Sequence, residues 1–169
     1  MSLIDRQAQV IDDTWIYPAQ AGDFEPQAHA ILPLDTLAAL SREPLMVRPL
    51  GMYAPAGTTA DLIAPHLHRL DLVLLEFPKF RDGRGFTVAR TLRDTHGFEG
   101  DIRAIGHVLP DQFAALVQCG FSTIVLPADH PAEQWTQLSP LAARSGAGGP
   151  LLQRLLSKRA GVPGKPASR

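Results

Sequence analysis

Residues 77 to 85 read Phe-Pro-Lys-Phe-Arg-Asp-Gly-Arg-Gly, which gathers Lys79, Arg81, Asp82 and Arg84 in one short stretch. Guanidinium forks and an ammonium group on a glycine-bearing loop suit a small oxyanion, a phosphoryl group or a ligand carboxylate. If the loop also opens a helix, N-terminal N–H groups and the positive dipole end add to the attraction. The local alternative for Asp82-Gly83 is a turn in which the glycine supplies positive φ and the aspartate caps the helix, with Arg81 or Arg84 paired to that aspartate alone. His107 and Asp111 flank a second expected helix start, where an imidazole base oriented by a carboxylate would be general-base chemistry. A solitary loop imidazole is more commonly a plain polar residue, so no catalytic residue is assigned. The anion-binding set is Lys79, Arg81, Asp82, Arg84, His107 and Asp111.

Other chemistries lack their residues. Cys119 is the single cysteine, so it has no internal disulfide partner, and its expected place at a helix C-terminus does nothing to lower a thiol pKa. Zinc and iron–sulfur ligation fail for want of further cysteines, and His66-x-His68 has the wrong spacing for one helical face. No metal site is expected. Gly83-Arg84-Gly85 lacks the remainder of either a dinucleotide fingerprint or a phosphate loop. No cofactor is evident, although an open α/β sheet can hold a flavin without a short motif.

The elements that would position these residues follow a rhythm. Leu45–Tyr53, Asp71–Phe77, Ile102–Gly106 and Ser122–Leu126 read as extended; Thr59–His68, Arg84–His96, Pro110–Cys119 and Pro131–Ala143 read as helical. Four β-α pairs in succession call for an α/β fold: an open, mostly parallel sheet of four to five strands with flanking helices, flavodoxin-like or half-barrel-like. A closed barrel would need eight units. Gln9–Tyr17 suits a short hairpin and Pro33–Ser41 a short helix. In a parallel sheet every β-to-α connection opens on one edge, so residues 54–59, 78–85, 107–110 and 127–130 converge there.

A chain of 169 residues with 45% hydrophobic content is expected to form one α/β domain over residues 1–143. All 17 acids and ten of the 16 Lys and Arg precede residue 144, so this part carries −7 and the remainder +6. An acidic body argues against wholesale nucleic-acid binding. Residues 144–169 read as a flexible basic tail, in which Leu151, Leu152, Leu155 and Leu156 form an apolar face beside Arg154, Lys158 and Arg159. No apolar run reaches membrane-spanning length and no secretory leader is visible at Met1, so a soluble cytoplasmic protein is expected.

The stretch from Phe77 to Gly85, with Ala89-Arg90, Leu92-Arg93, Arg103-Ala104-Ile105-Gly106, Asp111-Gln112 and Cys119-Gly120-Phe121, resembles a proteobacterial family of unknown function. Members of that family are labelled oxidoreductases involved in sulfite reduction and are encoded beside assimilatory sulfite reductase. The resemblance covers about Leu45 to Leu126 and implies an accessory protein that docks on sulfite reductase or its electron donor, binds a small anion, or both. Lys79, Arg81, Asp82, Arg84, Arg90, Arg93, Arg103 and Asp111 are its charged positions, while Phe77, Phe80, Gly106, Gly120 and Phe121 suit packing. Arg90, Arg93, Arg154, Lys158 and Arg159 form the expected partner-binding set. Two other readings stand beside it: an oxidoreductase with an unidentified cofactor such as flavin, and a module whose arginines build a homodimer contact.

Overall fold

The computed structural model describes residues 2–18, 27–40 and 47–136. Their elements are β1 (Leu3–Asp5), β2 (Val10–Ile11), β3 (Ala30–Pro33), α1 (Leu34–Ala39), β4 (Leu50–Ala54), α2 (Ala60–Ile63), β5 (Leu72–Phe77), α3 (Arg84–Asp94), β6 (Asp101–Gly106), α4 (Phe113–Gln118), β7 (Thr123–Val125) and α5 (Ala132–Thr136). One sheet runs β2-β1-β7-β6-β5-β4-β3. Strands β3 to β7 are parallel to their neighbours, and β1 pairs antiparallel with both β7 and β2.

The open, mostly parallel α/β sheet expected from the β-α rhythm is therefore present, with seven strands rather than four or five. The three additional strands are β1, β2 and β3, only three, two and four residues long, too short for a periodic signal. The expected hairpin over Gln9–Tyr17 is corrected. Val10–Ile11 pairs back with Leu3–Ile4, while Ile16 forms a parallel bridge to Ala30 at the far edge.

Sheet order follows chain order from β3 to β7 without reversal. A doubly wound sheet reverses direction and carries helices on both faces. Successive same-handed crossovers in a single direction keep them on one. Accordingly Leu37, Ile63, Ala89, Leu92, Leu116 and Trp135 of the helices share one core with Leu32, Met52, Val73, Leu75, Ile102 and Ile124 of the sheet. The half-barrel progression is thus the one observed, and the flavodoxin-like order is not.

The opposite face is closed by residues 13–17. Trp15 and Tyr17 pack with Ile31, Leu72 and Leu74, and a Cβ at Gly51 would sit 3.1 Å from the Trp15 ring. Arg103, in the middle of β6 and 3% exposed, rises from this face. Its guanidinium donates to Asp13 Oδ1 (2.8 Å), Tyr17 Oη (2.9 Å), Asp101 Oδ2 (3.0 Å) and Thr123 Oγ1 (2.9 Å), which ties the segment down.

Helix ends follow the chain's punctuation. The helix expected over Thr59–His68 is α-helical only to Ile63; Pro65, which lacks an N–H, falls in the tighter 3₁₀ turns of Ala64–Arg69. Pro110 opens a 3₁₀ turn before α4, as a first-turn proline can. Helix α3 begins against Phe77 because residue 85 is glycine: a Cβ there would lie 2.6 Å from the Phe77 ring. That ring is held edge-on by Phe86 at 5.4 Å and tilted against Phe121 at 5.8 Å between centroids. The basic tail, its amphipathic helix with Arg154, Lys158 and Arg159, and the C-terminal part of the helix expected over Pro131–Ala143 lie outside the described residues.

Candidate functional site

All five parallel strands end on one edge, and hydrogen bonds join the connections there. The loop after β5 starts at Pro78 and turns where Asp82 N donates to Lys79 O at 3.0 Å. Gln112 Nε2 donates to Phe80 O at 2.7 Å while Gln112 Oε1 accepts from Leu109 N at 3.0 Å, so one amide staples this loop to the connection after β6. Toward β4, Ala56 N donates to Glu76 Oε2 at 3.4 Å. Tyr53 is bound to the same carboxylate, and burial first, then this bond, pushes its phenol up to about 12. The rim formed by the connections after β4, β5 and β6 is therefore one connected structure.

Within the rim, Asp82 has a local task. Its Oδ1 accepts from the backbone N of Arg84 at 3.2 Å and from Arg84 Nε at 2.9 Å, and its Oδ2 accepts from Nη2 at 2.6 Å. The Arg84 side-chain bonds, then the backbone bond, hold the Asp82 carboxyl down at about 2, and the carboxylate in turn raises the Arg84 guanidinium. Asp82 is thus the orienter of Arg84 and the acceptor for the first N–H of α3, the capping part of the local alternative; the positive φ expected of Gly83 is corrected, because its φ of −79° is right-handed. The pairing leaves Nη1 turned toward the loop after β4, where a Cβ at Gly57 would be 3.4 Å away.

Phe80 departs from its expected packing role: it is 46% exposed, with the Arg81 guanidinium 5.3 Å from its ring centre. Lys79 and Arg81 are themselves exposed beside it. His107 and Asp111 are exposed on the next connection. Neither makes a hydrogen bond or ion pair to the other or to Lys79, Arg81, Asp82 or Arg84. The residues expected around an anion thus stand on two connections, the Lys79-to-Arg84 loop and the His107–Asp111 segment, which the Gln112 bond to Phe80 O joins. The loop after β7 borders a separate cleft of about 500 Å³ with Gly106, Val125 and His130 on its walls.

The arginines assigned to partners divide as well. Arg90 is exposed and donates to Cys119 Sγ at 3.4 Å. Arg93 is turned inward: it donates to Gly120 O at 2.9 Å, Gly100 O at 2.8 Å, Phe98 O and Ser122 Oγ at 2.8 Å, clamping the turns that enter β6 and β7. Arg103 belongs to the buried network described above. Cys119 is buried. Among the described residues no group of three or more His, Cys, Asp or Glu is placed to hold a metal ion, and no helix is long and apolar enough to cross a membrane.

Sequence reasoning did not assign Gln112 or Glu76 to the rim, and it placed Gly57 there only as part of the converging segment 54–59. Gln112 accepts from the Leu109 N–H as the glutamine of a capping box would, but leucine supplies no polar side chain for the other half, so the sequence pattern is incomplete. Glu76 has no signal short of the strand order.

The fold is a singly wound, mostly parallel α/β sheet whose connections after β4, β5 and β6 are joined into one basic and aromatic rim at the carboxyl ends of the strands. The chain belongs to DUF934, a family of bacterial proteins of unknown function, whose profile matches residues 51–143. That span contains β4 except its first residue, β5 to β7, the whole rim and α5. No curated protein matches the chain.

Proposed function

We propose that this protein is an accessory factor of assimilatory sulfite reduction that docks on an acidic protein surface through Lys79, Phe80 and Arg81. The observation that carries this reading is Phe80, an aromatic side chain 46% exposed yet fixed at its base by the Gln112 bond to its own carbonyl. A preorganised aromatic loses little freedom on binding and fills a partner pocket, the usual character of an energetic anchor. Lys79 and Arg81 give the anchor a positive rim on a body that is otherwise acidic, which orients an acidic partner toward this edge and away from the rest. The resemblance noted above supplies the partner: sulfite reductase or its electron donor, which places the protein in the cytoplasm. The same surface would serve a homodimer only if the chain's mass rose with concentration.

Surface plasmon resonance of the full chain against sulfite reductase and against its electron donor tests the reading. One of the two is expected to bind. Phe80→Ala should cost about 2 kcal/mol or more, roughly 30-fold in Kd. Arg81→Glu should mainly slow association and reduce its dependence on salt. Absence of binding to either protein at low ionic strength, or an unchanged Kd in Phe80→Ala, would contradict it.

A further inference from the structure

Arg84 is left out of the docking surface because its free nitrogen faces the other way. A cleft of about 360 Å³ opens between α2 and α3, within the roughly 300–1,000 Å³ that small-molecule sites occupy. Gly57, Thr58, Asp61, Arg84, Thr87 and Thr91 line it. Gly57 has φ +96°, a conformation that L residues rarely adopt, and its missing side chain leaves Arg84 Nη1 open to the cleft. Asp82 uses Nε and Nη2, so Nη1 is the guanidinium nitrogen without an acceptor among the described residues.

The other walls offer the opposite chemistry. Thr58 Oγ1 donates to Pro55 O at 2.7 Å and Thr91 Oγ1 to Thr87 O at 2.9 Å, so both hydroxyl protons are committed and lone pairs remain. Asp61 has no ion pair or hydrogen bond among the described residues, and its carboxylate is exposed at the same cleft. One donor position thus faces a set of acceptors that includes a full negative charge.

We propose that the α2–α3 cleft binds a small zwitterion of the amino acid type, its anionic group on Arg84 Nη1 and its ammonium group against Asp61 and the threonine oxygens. A bare oxyanion such as sulfate satisfies only the guanidinium, whose charge Asp82 already offsets, and meets Asp61 as a like charge. A bare amine leaves Nη1 unmatched. A zwitterion satisfies both ends at once. The inference does not depend on the docking reading.

Saturation-transfer NMR on the full chain tests it, with the standard α-amino acids and taurine as probes beside sulfate, propionate and ethanolamine. At least one zwitterion should bind saturably in the millimolar range or below. Asp61→Asn and Arg84→Gln, both on exposed side chains, should each weaken that zwitterion about tenfold or more. Asp61→Asn should leave partner binding intact, and Phe80→Ala should leave zwitterion binding intact, so the two proposals fail separately. No zwitterion bound, sulfate or propionate bound as tightly as the best zwitterion, or a Kd indifferent to both substitutions would overturn the proposal.

Discussion

Arg103 ties the segment of residues 13–17 to the sheet, and the cost of losing it can be stated. With both Asp13 and Asp101 close around the guanidinium of a side chain that is 4% exposed, Arg103→Met strands two carboxylates without a partner cation. Breaking a buried pair in this way costs about 3–5 kcal/mol. Acid sensitivity should change with it. Burial raises the Asp13 carboxyl, but the hydrogen bonds from Tyr17 and the Trp15 N–H, with the charge of Arg103, outweigh burial and leave it below its ordinary 3.8. A carboxyl depressed in the folded chain contributes stability that is fully present above pH 3.8 and is lost as pH falls through the lower, folded value. Denaturant melts between pH 7 and pH 2.5 should therefore show a steep acid-side loss in the native chain and a shallower one in Asp13→Asn; equal slopes would contradict the assignment. The burial of Arg103 was hard to foresee because an arginine in mid-strand reads as a surface cation. The retrievable clue is parity: Asp101 and Arg103 stand two apart on one strand and so share a face, where each can neutralise the other.

Among the elements, α3 depends on Gly85. The Phe77 ring below it is 1% exposed and wedged by Phe86 and Phe121, so it cannot yield to an added methyl group. Gly85→Ala should cost about 1–3 kcal/mol despite the better helix propensity of alanine, lowering the thermal midpoint; a neutral or raised midpoint would show that α3 can shift along β5 freely. Elements with long apolar runs and their own start and stop residues were legible: β5, α3, β6 and α4 lie within a few residues of where periodicity puts them. Strand β1 was not, because three residues carry no period and its pairing with Val125 joins opposite ends of the described chain. Likewise Val10–Ile11 pairs with residues six to eight positions back, through a turn in which Asp5 Oδ1 accepts from the N–H groups of Gln7 and Gln9 at 2.9 Å.

For the whole molecule, alternation of β and α segments was enough to specify a parallel sheet, but not its winding. Winding decides where a site can lie. A reversal would have opened a crevice at a switch point, whereas unbroken progression from β3 to β7 leaves only the carboxyl edge and its loops. That edge was legible as a meeting place of loops; which side chains face one another across it was not. Phe80 looked like a core aromatic and proved exposed, and of the two arginines that could pair with Asp82 it is Arg84 that does. Phe80 lies within the tight turn between Lys79 and Asp82, whereas the aim of Arg84 comes from its own bonds to Asp82.

The central claim is that a partner meets this protein at the Lys79–Arg81 loop. Backbone amide NMR of the isotopically labelled full chain, titrated with sulfite reductase or its electron donor, tests it most directly. The account predicts shift changes or broadening concentrated on residues 79–81 and on Gln112, with the strands of β3 and helix α1 unaffected. Perturbation centred on β3 and α1, or a saturated complex in which Phe80 and Gln112 do not change, would contradict it.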